Sequence, residues 1–215
     1  MSKQESSCKP CEEGGGHSYH HGDLHSALID ETARMVAEGG TQSVTIRELA
    51  KRLEVSRNAP YRHFGDKTEL LCAVAEVKLH EFAAILEAAR HHPGDRPLQQ
   101  LHKMGLAYLQ FAQENGAIYK MMFSDPLISE NKTESLQLAG DNAFGVLLQL
   151  LGDCQQQGAI NNEPLELQGM FVWSTMHGLS SLLLDIHIHC LPIEDQQQMV
   201  ESTLEMIQRG LGAEA

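Results

Sequence analysis

T-I-R-E-L-A-K-R-L-E-V-S-R-N-A-P-Y-R-H-F-G-D-K, residues 45–67, packs three helix starts into one short stretch. Thr45 with Glu48 three positions on is a capping box, in which the hydroxyl accepts from the Glu48 amide and the carboxylate reaches back. Ile46, Leu49, Ala50 and Leu53 then recur at helical spacing and predict a short helix with one apolar face. Ser56 is a good N-cap and predicts a second short helix from Arg57, carrying Arg57, Asn58, Pro60, Tyr61, Arg62 and His63. Pro60 falls in its first turn, where a missing amide donor is tolerated. Asp66 with Glu69 repeats the capping box and opens a longer helix at Lys67.

Two short helices joined by a turn form a helix-turn-helix, whose second member normally enters the DNA major groove. The side chains suit that use. Arg and Asn pair with base edges, while Tyr, His and Lys reach phosphates. The stretch holds six Lys or Arg against three acids, in a chain whose net charge is −13. A basic island in an acidic protein favours a phosphate partner. Spacing and charge alone also suit an ordinary charged helical hairpin with a solvated face.

Three segments carry a family resemblance: Y-H-H-G-D-L at residues 19–24, V-T-I-R-E-L-A at 44–50 and A-P-Y-R-H-F-G-D-K-T-E-L-L at 59–71. They resemble the TetR/AcrR family of bacterial transcription regulators. The likeness covers about a quarter of the chain. Further on, F-V-W-S-T-M-H-G-L at 171–179 resembles the Trp-His-Gly signature of one effector-domain subgroup of that family. The resemblance implies DNA binding and dimerisation through the last two helices, about 164–189 and 193–211.

Composition bounds the rest. A chain of 215 residues with 42% hydrophobic residues can bury a sizeable core. No apolar run approaches the roughly eighteen residues of a membrane span. The amino-terminal segment lacks the apolar region of a signal peptide, and five scattered cysteines favour a reducing compartment over a disulfide framework. A cytoplasmic protein is expected. From His91 onward there are five basic residues (Arg96, Lys103, Lys120, Lys132, Arg209) and fifteen acidic ones. A duplex repels such a body, which is left to sense, to oligomerise or both.

Residues 1–18 are polar, Gly-rich and aperiodic, and are expected to be a disordered tail. Cys8 and Cys11, with His17, His20 and His21 nearby, are zinc-type ligands, but no second C-x-x-C accompanies them, and no metal site is assigned. A first helix is expected over 23–38, stopped by Gly39-Gly40. It completes a helix-turn-helix domain over 19–66, with residues 67–215 forming an effector-binding and dimerisation domain. The long helix from Lys67 to about His92 joins the two. Further helices are expected at about 98–115, 117–123, 134–157, 164–189 and 193–211. No alternating β-branched run reads as a strand. The fold class is all-α, with about nine helices.

The expected regulator is a homodimer, a repressor released by a small-molecule effector from a palindromic double-stranded operator. Arg57, Asn58, Ala59 and Tyr61 are expected to face bases, with Thr45, Arg47, Tyr61, His63 and Lys67 on phosphates and Arg62 also at the duplex. An effector pocket needs an apolar lining with few polar anchors. Tyr108, Phe111, Tyr119, Met122, Phe123, Met170, Trp173, Met176 and His177 fit by type and position, and would serve equally well as core. His187 and His189 point to different faces of a helix and suit no shared ion. No nucleophile motif, P-loop or H-E-x-x-H is present, so neither an enzyme nor a cofactor is expected. The rival readings are a binding or scaffolding protein that has lost DNA recognition, and a metal-dependent enzyme.

Overall fold

Two side-chain caps define the amino-terminal unit. Thr45 Oγ1 accepts from the Glu48 amide at 3.2 Å, and Asp66 Oδ1 accepts from the Glu69 amide at 2.9 Å. The return bonds differ from expectation. Glu69 accepts from the Gly65 amide at 2.6 Å, while the Glu48 carboxylate lies 3.7 Å from both Lys51 and Arg52.

These caps belong to a computed structural model that describes residues 21–91, 94–184 and 192–212. All its regular elements are helical: α1 (His21–Ser43), α2 (Ile46–Arg52), a 3-10 turn (Pro60–Arg62), α3 (Lys67–Arg90), α4 (Pro97–Glu114), α5 (Gly116–Ser124), α6 (Pro126–Glu130), α7 (Glu134–Gln156), α8 (Leu165–Leu183) and α9 (Ile193–Gly210). The all-α reading is right. The expected tail, the Cys8-to-Cys11 motif, His187, His189 and the end of the helix expected to reach residue 189 lie outside the described residues.

Several boundaries needed correction. Helical geometry in α1 breaks at Gly39 and Gly40, the expected stop, with Gly40 at φ 70°, but hydrogen bonding resumes to Ser43, past the break. The second short helix is not a regular α-helix. Its Ala59 amide bonds to Ser56 O at 2.9 Å, Arg62 to Ala59 O at 3.2 Å and His63 to Pro60 O at 3.0 Å. Pro60 has no amide to give to Ser56 O, so the segment runs through three-residue turns and closes with the Phe64 amide on Pro60 O at 3.0 Å. The expected helices leave residues 124–133 without an element, since Ser124-Asp125-Pro126 signals a break. Asp125 instead caps a new turn, its Oδ1 accepting from the Leu127 amide at 2.9 Å, with Pro126 at the first helical position, where proline fits.

The end of α2 carries a local strain that fixes the turn. The Glu54 amide bonds to Lys51 O at 3.1 Å and the Val55 amide to Ala50 O at 2.9 Å, the Schellman pairing that needs a left-handed residue between them. Glu54 supplies it, at φ 54°. The same pairing ends α7 through Gly158 at φ 67°, the residue that meets no Cβ penalty there. Glu54→Gly therefore removes roughly 1 kcal/mol of strain, partly offset by a freer unfolded chain. We expect a melting temperature higher by about 1–3 °C on a circular dichroism melt; a lower value would contradict the strain.

α3 connects the two halves. Its first turns hold Leu70 and Leu71, fully buried, beside α1, and the rest packs along α4 and α7. Phe82 sits among the rings of Tyr108, Phe111, Phe123 and Trp173, with centroids 4.8–6.2 Å away. Such edge and tilted arrangements match ring quadrupoles and add to burial.

Candidate nucleic-acid interface and interior cavity

The turn after α2 projects a set of polar side chains from a packed base. Pro60 and Phe64 are buried and anchor the segment, while Arg57, Asn58 and Arg62 are exposed and the Tyr61 ring is 56% exposed. His25 stacks on Phe64 at 4.9 Å and meets His63 edge-on at 5.9 Å, which leaves His63 half-buried. Thr45 and Arg47 are exposed at the start of α2. Ala59 corrects the expectation of a base-facing methyl: it is 9% exposed and belongs to the core side.

The basic island also divides. Arg52 is committed to α1, bonding Glu31 Oε1 at 3.2 Å and Glu38 Oε2 at 2.8 Å. Its hydrogen bond holds the Glu38 carboxyl below the usual carboxylate range, and Arg34 closes the group on Glu31. Lys67 Nζ donates to Thr41 O at 2.7 Å, so this expected phosphate contact doubles as a clamp on the end of α1. Among the described residues Arg47, Arg57 and Arg62 carry no acidic partner. They keep their full charge for a ligand.

The aromatic and methionine residues expected in a pocket part into three groups. Tyr108, Trp173 and Met176 line a cavity of about 30 Å³ between α3, α4, α7, α8 and α9, enough for one or two waters. Phe111, Tyr119, Met122, Phe123 and His177 form the adjoining packed cluster. Met170 falls outside both; it is 58% exposed on the opposite face of α8, which corrects its assignment. The rest of the lining, Gly105, Leu204, Ile207 and Gln208 among it, has no place in the sequence expectation. Leu204 and Ile207 share a helical face, a signal that they point inward but not toward what. A Cβ at Gly105 would overlap Leu204 Cδ2, so α4 and α9 approach closely at the cavity wall.

Polar groups converge beside the cavity. Tyr119 Oη lies 2.7 Å from His177 Nδ1 and 3.0 Å from Tyr108 Oη, and Tyr108 Oη is also 3.2 Å from the same nitrogen. Burial disfavours the charged forms of all three, raising both tyrosines and lowering the imidazole. A neutral His177 accepting at Nδ1 satisfies the chain Tyr108 to Tyr119 to His177. His177 is thus a half-buried histidine bonded through Nδ1.

Comparison with known proteins matches the same two regions. Residues 28–74 match the family model for bacterial regulatory proteins of the tetR family, and residues 101–207 match a tetracyclin repressor-like C-terminal domain. The HTH-type transcriptional repressor KstR of Rhodococcus jostii is 28% identical over 54% of this chain and 49% of its own length. The HTH-type transcriptional regulator BetI of Rhizobium meliloti is 31% identical over 48% of this chain and 52% of its own. This chain thus spans about half the length of these curated relatives. A protein of unknown function from Rhodococcus sp. RHA1 has the same fold, with a TM-score of 0.78 at 23% identity, covering 91% of this chain and 99% of that one. The chain belongs to the TetR/AcrR family, a family of transcription regulators rather than enzymes.

Proposed function

We propose that the chain is a sequence-specific DNA-binding repressor that acts in the cytoplasm as a homodimer on a palindromic operator, and that a small molecule entering the α4–α8–α9 cavity releases it. The observation that carries this reading is the exposed set Arg47 on α2 and Arg57 and Arg62 after it, without an acidic partner among the described residues and seated with Asn58 and Tyr61. Residues 19–66 serve as the reading head and residues 67–215 as the effector and dimerisation body. No described helix is long and apolar enough to cross a membrane.

A second copy is supported by α8. Leu167, Phe171, Ser174, Gly178 and Leu182 follow one another at three- and four-residue steps along a single face. Leu167 and Leu182 are 64% and 54% exposed there, an apolar stripe that a partner helix would cover. Two copies read two half-sites about 34–36 Å apart.

The coupling route runs through α5. Tyr119 on α5 bonds His177 beside the cavity, and Asp125, just past the end of α5, accepts from Thr41 Oγ1 at 2.7 Å. Thr41 O in turn holds Lys67 at the head of α3. A ligand that parts α4 from α8 pushes on this line and on α3, and so changes the spacing of the two heads. It need favour the released form by only about 5.5 kcal/mol to turn 99:1 occupancy into 1:99.

The test is selection from a random duplex pool, followed by titration of the enriched duplex across salt. A two-fold symmetric site is expected, with affinity falling steeply as salt rises. Enrichment of no sequence would end the regulator reading.

A further inference from the structure

We propose that the effector is an amphipathic anion, whose apolar tail enters the interior cavity while its acid group stays in the groove outside, against Arg96; this rests on the cavity being the effector site. The cavity wall is almost wholly apolar, with Leu86, Leu101, Met104, Val172 and Met176 among its lining. His102 and Gln208 line both this cavity and a much larger groove of about 1080 Å³ beside it. The two spaces therefore meet at these side chains, a dry inner part and a wet outer part. A wholly apolar ligand leaves the outer part unused, and a wholly polar one cannot repay desolvation in the inner part.

Charge selects the sign of the headgroup. From residue 91 onward the body has five cations among fifteen acids, yet two of the five, Arg96 and Lys103, line this one groove. Lys103 is neutralised by Asp95 at 2.6 Å, and Asp95 is the acid in that lining. Glu201 sits at the mouth against His102, 3.2 Å away. Arg96 is exposed at the amino-terminal end of α4, with no acidic partner among the described residues. Its guanidinium and the positive end of the α4 dipole favour a carboxylate or phosphate at the same place. The cavity is smaller than any such tail, and the unbranched Met104 and Met176 are the wall residues best able to move aside.

Trp173 is the sole tryptophan of the chain and lines the cavity, so its emission reports tail entry directly. The full-length protein is titrated with decanoate, decanol and decyltrimethylammonium below their micellar concentrations, following Trp173 fluorescence and heat. Decanoate should shift the emission and bind about tenfold tighter than decanol, with the cationic amphiphile weakest. Arg96→Gln, at an exposed position, should bring decanoate to the decanol level and leave decanol unchanged. If decanol matches decanoate, or Arg96→Gln changes nothing, the anionic headgroup is wrong while the cavity reading survives. If none of the three alters Trp173, both are wrong.

Discussion

Arg57→Ala is expected to reduce affinity for the selected operator by about a hundredfold or more. One base-reading arginine contributes roughly 1–3 kcal/mol, and a symmetric dimer loses it twice. The same change should relax preference at one position of each half-site. Arg47→Ala acts differently if it neutralises a phosphate: specific and non-specific duplexes weaken together, and the salt dependence flattens by about one phosphate per copy. Both side chains are exposed without acidic partners among the described residues, so neither change removes a bond that holds the fold. Arg52→Ala is the contrast. Its guanidinium joins α2 to Glu31 and Glu38 on α1, so the melting temperature should fall along with binding. Fluorescence anisotropy on operator and scrambled duplexes separates the cases; equal loss on both for Arg57→Ala would remove it from the base-reading set.

The contrast between Arg52 and Arg57 marks how far the sequence could be read. Helix starts are local events: Thr45 and Asp66 act on amides three residues away, and spacing alone predicts them. Charge pairing is not local. Nothing in the order of residues says that Arg52 meets Glu31 and Glu38, twenty-one and fourteen positions earlier, or that Lys67 meets the carbonyl of Thr41. Ala59 was misplaced for a related reason, since Pro60 converts the expected helix into tighter turns and rotates the face it presents. Of the cavity lining only Tyr108, Trp173 and Met176 are legible in the sequence. Apolar periodicity tells that Trp173 and Met176 point inward, but that α9 closes the same space depends on packing across a hundred residues, as in the 3.0 Å bond from Gln208 Nε2 to Leu98 O. Glu54 carries no sequence signal at all; a left-handed residue is expected to be glycine, and only the backbone reveals the exception.

Gly178→Leu is expected to split the dimer and with it nearly all operator affinity. Among the described residues Gly178 has no packing role, for a Cβ built there meets nothing within 4 Å. A glycine inside a helix costs roughly 1 kcal/mol relative to alanine, and no described residue packs there to offset that cost. Its position supplies the reason. Gly178 lies on the stripe of Leu167, Phe171, Ser174 and Leu182, where small residues between large ones let two helices approach closely. Gly178→Ala should therefore keep the dimer and stabilise the helix slightly, whereas the leucine side chain would hold two α8 helices apart. Sedimentation at micromolar concentration should find the leucine variant monomeric with an unchanged helical spectrum. A lone head loses the second half-site, so operator affinity should drop by at least about two orders of magnitude, toward the non-specific level. A leucine variant that remains dimeric and still binds operator would place the partner surface elsewhere on the body and leave the exposed stripe of α8 without its proposed occupant.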